Sequence, residues 1–132
     1  MRMGLVFAIL AFSVCGNAAA GPAGMNGSWS GEMRQIEMSA ETTYPMTLTI
    51  MGEGAESNYP ALNCSGTWTR VAEKNGYVIY AETVRNQEGA SCIDGMVMVT
   101  LYKGKVFLGW FAADAGEPIV AMAVLGKSAT AK

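Results

Sequence analysis

Turn chemistry recurs about every ten residues along this chain, and between the turns apolar and polar side chains alternate. That combination constrains the fold more than any other feature. From Trp29 the pattern sends Trp29, Gly31 and Met33 one way and Ser30, Glu32 and Arg34 the other, as in a half-buried strand. The polar stretch 37–43 reads as a connection. Residues 44–51 form the cleanest strand, with Met46, Leu48 and Ile50 opposite Thr47 and Thr49. Pro45 marks its start or an edge position, because proline gives no ladder N–H. Gly52-Glu53-Gly54-Ala55-Glu56-Ser57-Asn58 reads as a loop by composition. A third strand spans 61–71, with Leu62, Cys64, Gly66 and Trp68 on one face. Asn75-Gly76, the strongest short hairpin signal, returns the chain through Tyr77, Val78, Ile79 and Tyr80. Turns at 86–89, 103–105 and 114–118 separate further strands at 96–102, 106–112 and 119–125.

These segments number about seven, with no amphipathic helix among them, so the expected class is all-β. Nearly every connection has hairpin length, and no long Greek-key crossing is evident. This favours a small antiparallel up-and-down barrel of seven to eight strands over a sandwich. Closure would also remove exposed edges from strongly apolar strands. A barrel of this size has room inside for side chains or for one small ligand.

The first twenty residues read as a secretory signal peptide. Arg2 is the positive start, Gly4 to Val14 is an uncharged apolar run, and Ala18-Ala19-Ala20 offers the cleavage site. The run is shorter than the roughly 20 residues that a membrane-spanning helix needs. Cys15 raises a lipoprotein alternative, but Val14 stands where a small residue is wanted. The expected domain is therefore 21–132, exported to the periplasm or the medium. It retains two cysteines, Cys64 and Cys92, and an even count in an exported chain reads as a disulfide. Chain entropy assigns a loop of this length roughly 3.6 kcal/mol. The alternative is a two-cysteine metal site. It is disfavoured because the chain has no histidine and two thiolates do not complete a tetrahedral shell.

Absent histidine also removes the commonest general base, and a disulfide leaves no thiol nucleophile. Eleven acidic residues against nine basic ones, with no basic cluster, argue against nucleic acid, whose phosphates need several cations on one face. Gly52-Glu53-Gly54 opens no helix and is not a phosphate loop. Asp94-Gly95 reads as a turn rather than a calcium loop, since only Glu88 lies near it in sequence. The methionines, scattered over the strands, do not form the short motifs of a thioether copper site. No enzyme, cofactor or metal is expected.

Glu82 alternates with Val78, Tyr80 and Val84. If that face turns inward, Glu82 is a buried acid that needs a partner, and Arg70 across the Asn75-Gly76 hairpin is the candidate. Glu82 reads either as a polar anchor in a ligand cavity or as a paired charge of the core. Trp29, Trp68, Tyr80 and Trp110 read either as cavity lining or as plain core. The leading functional expectation is a small apolar or amphipathic ligand held inside the barrel by Trp29, Trp68, Arg70, Tyr80, Glu82 and Trp110. The second is recognition of a protein, such as inhibition of an extracytoplasmic enzyme, through loops 52–58 and 86–94.

At Gly27-Ser28-Trp29-Ser30-Gly31 the chain resembles the opening of calycin-type barrels, the lipocalin and avidin group. There a Gly-x-Trp stands on the first strand and its indole plugs one end of the barrel. The resemblance implies that role for Trp29. It carries over no ligand contacts. The wider arrangement, a small exported barrel with one disulfide, is also similar to periplasmic lysozyme inhibitors.

Overall fold

The computed structural model describes residues 24–112 and 116–128. The signal peptide and the Cys15 alternative lie outside those residues. Eight strands follow in order: β1 Gly27–Ile36, β2 Glu41–Met51, β3 Gly54–Tyr59, β4 Cys64–Lys74, β5 Tyr77–Asn86, β6 Gly95–Tyr102, β7 Lys105–Ala112 and β8 Ile119–Lys127. Each pairs antiparallel with its neighbours in sequence, and β8 pairs back onto β1 to close the barrel. The expected all-β, up-and-down barrel with one disulfide is therefore the fold, with eight strands.

Two expected connections are corrected. Residues 52–58 are not a loop, because only Gly52 and Glu53 turn, and the chain enters β3 at Gly54. Composition hid this strand, since glycine, glutamate, serine and asparagine are poor strand formers. Pairing on both flanks, with β2 and with β4, overrides that weak local preference. The inward side chains Ala55, Ser57 and Tyr59 are all buried. The connection before β2 is also shorter than expected, because β1 runs to Ile36 and β2 starts at Glu41. Pro45 sits inside β2, paired with Glu32 of β1. The β2–β3 ladder runs only from Thr47 to Met51, so the missing N–H of Pro45 breaks no bond on that side.

All strands ending at Ile36, Tyr59, Asn86 and Ala112 reach one end of the barrel, which is called the upper end below. The lower end is plugged. Trp29 is buried, its indole Nε1 donates to Met25 O at 2.9 Å, and Lys127 Nζ lies 5.3 Å from the ring centroid. This is the role the calycin resemblance implies for Trp29, and the barrel is compatible with that resemblance. Above the plug, Met33, Met46, Leu48, Ile50, Trp68, Tyr80, Val97, Val99 and Leu125 fill the interior. Large side chains thus occupy the lower and middle barrel, and the interior opens into a cavity near the upper end.

Outside, β6, β7 and β8 expose Met98, Phe107, Phe111, Val120, Met122 and Val124 on one face. Gly109 leaves a dent among them. Among the described residues no helix is long and apolar enough to cross a membrane.

Candidate functional site

Glu82 is the pivot of the upper end. Alternation along β5 turns Val78, Tyr80 and Glu82 inward, and Glu82 is only 3% exposed. Its ladder partners are Trp68 on β4 and Gly95 on β6. A buried carboxylate must be matched by hydrogen-bond donors, and four neutral donors supply this. Ser57 Oγ, Tyr59 OH and Trp68 Nε1 donate to Oε2 at 2.6, 2.7 and 2.5 Å. Trp110 Nε1 donates to Oε1 at 2.9 Å. Indole N–H groups only donate, so each oxygen accepts at least one obligate donor.

Two glycines make room for this cluster. A Cβ at Gly66 would collide with the Glu82 carboxylate and Ser57 Oγ. One at Gly95 would collide with the Trp110 indole. Gly66 lies inside β4 and Gly95 opens β6, and glycine at a ladder position marks a close approach. The close approaches here are those of Glu82 and Trp110.

Above Glu82 opens a cavity of about 420 Å³. Tyr44, Tyr59, Trp110, Leu62, Ile93 and Ile119 contribute to its walls, and Glu82 reaches it from below. Tyr44 and Tyr59 meet edge to face at 6.0 Å. Tyr44 OH donates to Gln35 Oε1 at 2.8 Å, and Gln35 Nε2 donates to Glu37 Oε1 at 2.6 Å at the rim. Burial first, then the Glu82 and Glu37 charges, push the Tyr44 hydroxyl up to about 12. Tyr59 is raised further, again by burial first and the Glu82 charge second. Both phenols therefore stay protonated and remain donors at neutral pH.

The segment between β5 and β6 forms one side of the mouth, and the disulfide holds it. Cys64 at the start of β4 is bonded to Cys92, with Cα atoms 6.5 Å apart. Asn86 clamps the same cysteine twice: Nδ2 donates to Cys92 O at 2.9 Å, and Cys92 N donates to Oδ1 at 2.8 Å. Asp94 accepts from Val84 N at 2.8 Å, and Gly95 opens β6, so Asp94-Gly95 ties the segment back to β5 where a turn was expected.

The six residues singled out in the sequence do not gather in one place. Glu82 and Trp110 line the cavity, and Trp68 contacts it through Glu82. Trp29 lies in the plug at the opposite end. Tyr80 is fully buried beneath Trp68, their ring centroids 5.4 Å apart, and its hydroxyl has no hydrogen-bond partner among the described residues. Arg70 stands opposite Tyr80 rather than Glu82 in the ladder, and it forms an ion pair with Glu73 on its own strand. The partners of Glu82 are thus the hydroxyls and indoles named above, where Arg70 had been the candidate. Ser57, Tyr59 and Tyr44 were missed. For Ser57 and Tyr59 the available signal was their alternation with Ala55, hidden by the glycine-rich composition around it. For Tyr44 it was the shared face with Met46 and Leu48.

Among the described residues no group of three or more histidine, cysteine, aspartate or glutamate side chains could hold a metal ion. What the arrangement offers is an aromatic, largely apolar chamber with a hydrogen-bonded carboxylate at its base. The chain matches no protein-family model, no curated protein and no solved structure.

Proposed function

We propose that this chain is a non-enzymatic, exported binding protein that holds a small amphipathic ligand in the cavity at the upper end of its barrel. The observation that carries this reading is the chamber itself. Its volume of about 420 Å³ lies in the range of small-molecule sites, with Glu82 at the base, aromatic and apolar side chains in the walls and a few polar groups, Gln35, Glu37, Thr42 and Ser91, among its lining. The filled lower barrel supports a ligand seated near the mouth, not one running the length of the interior. Export rests on the first twenty residues, and the Cys64–Cys92 bond suits an oxidising compartment. Calycin-type barrels, which the first strand resembles, make a ligand-holding role natural for this architecture.

The test is mass spectrometry on protein expressed with its first twenty residues and purified from the exported fraction. The denatured mass is expected to match Gly21 to Lys132 less two hydrogens. The native spectrum is expected to add a species of a few hundred daltons at most that leaves on denaturation. A bare native mass, unchanged after incubation with cell extract, would count against the ligand reading. It would favour the second one, recognition of an extracytoplasmic protein. That second reading has its own support in the exposed apolar face of β6, β7 and β8, since contiguous apolar patches mark interaction surfaces.

A further inference from the structure

We propose that the cavity selects cationic amphiphiles, with an ammonium group seated against Glu82 Oε1 and an apolar tail directed to the mouth. This inference rests on the ligand-binding reading above. Three of the four donors to Glu82 converge on Oε2, whereas Trp110 is the one that reaches Oε1. A carboxylate has about four acceptor sites over its two oxygens. Oε1 is thus the oxygen with more acceptor capacity left on a carboxylate that lines the chamber.

The walls agree with that preference. The charged residues lining the cavity are Glu37 and Glu82, and among the described residues no lysine or arginine lines it. Tyr44, Tyr59 and Trp110 surround the same space, and aromatic faces attract cations. Burial raises the Tyr44 and Tyr59 hydroxyls most, and the same negative field adds to it, Glu82 at both and Glu37 at Tyr44. An anionic head group would meet two carboxylates with no compensating cation. A neutral alcohol could donate to Oε1 but would gain nothing from the field. An ammonium gains both a charge-assisted hydrogen bond and the field.

Calorimetric titration with three matched probes separates these cases: octylammonium, octanol and octanoate, each against the oxidised protein. Octylammonium is expected to bind at least about tenfold more tightly than octanol, the scale of one charge-assisted hydrogen bond. Octanoate is expected to bind weakest. Equal affinities, or octanoate tightest, would overturn the cationic preference and leave the cavity reading standing. No heat and no mass adduct with any of the three up to millimolar concentration would overturn both. Glu82→Gln keeps an oxygen for the Oε2 donors and removes the charge. It is expected to lose most of the preference for octylammonium over octanol. Should that variant fail to fold by near-ultraviolet circular dichroism, Glu37→Gln at the rim serves instead. Its octylammonium affinity is expected to fall by about two- to threefold, the effect of a half-buried rim charge that solvent partly screens. An unchanged preference in either folded variant counts against the assignment.

Discussion

A buried carboxylate held by four neutral donors makes the two inward tyrosines of β3 and β5 unequal, although both are at most 5% exposed. Tyr59→Phe removes a donor from a buried charge and leaves that charge less satisfied. The expected loss is about 1–3 kcal/mol, read as a lower midpoint in urea unfolding. Tyr80→Phe removes a hydroxyl that is buried without a hydrogen-bond partner among the described residues, so it relieves a desolvation cost. That variant is expected to be at least as stable as the parent, and a loss above about 1 kcal/mol would contradict the geometry. The phenols also set the alkaline limit. Tyr44 and Tyr59 lose their protons near pH 10 in the unfolded chain and only at higher pH in the fold, near 12 for Tyr44. The folded state holds more protons in that window, so stability is full below about pH 10 and falls as pH rises through 12. The Tyr44 and Tyr59 share of the native protein's phenolate absorbance should therefore rise late and together with unfolding. A titration showing all tyrosines ionised near pH 10 in folded protein would refute this.

At the scale of elements, the legible strands were those whose inward faces are apolar. Met46, Leu48 and Ile50 announce β2, and the Asn75-Gly76 turn announces the β4–β5 hairpin. β3 was illegible because poor strand formers crowd it and one of its inward positions, Ser57, serves the Glu82 carboxylate and not an apolar core. Site and strand were lost together for one reason: a polar cluster inside a barrel breaks the apolar alternation by which strands are read. Glu82 itself was legible, since it interrupts an otherwise apolar face, but its partners were not. They come from β3, β4 and β7, and pairing across the barrel follows from register, not from sequence proximity. The glycines beside the site carry the same lesson. Gly95→Ala must push the Trp110 indole off its place, which breaks the bond to Oε1 and overpacks the wall. A loss of about 1–3 kcal/mol is expected, together with an altered tryptophan near-ultraviolet signal. Gly109→Ala on β7 meets only open space, so it should leave both stability and spectrum within error or raise stability slightly. Equal effects of the two substitutions would remove the argument that Gly95 exists to seat Trp110.

Taken whole, the barrel divides its labour between two ends. The lower end is closed by Trp29 under Lys127, tied to Met25, and by the β1–β8 ladder that completes the circle. The upper end carries the cavity, the disulfide and the cluster around Glu82. The packed middle, with Trp68 and Tyr80 at its centre, separates them. Side chains that share no partner and lie far apart contribute to free energy almost independently. Trp29→Phe removes the bond to Met25 O and part of the plug's volume, which costs about 2 kcal/mol and lowers Tm. The same substitution touches nothing at the upper end, so the Kd for octylammonium should stay within about twofold of the parent. Glu82→Gln should show the opposite balance, with the ligand preference lost and the plug intact. If Trp29→Phe weakened binding as much as it weakened the fold, the interior would be acting as one cooperative ligand site running the length of the barrel. Trp29 would then belong with Glu82 and Trp110 after all, as the alternation along β1 first allowed.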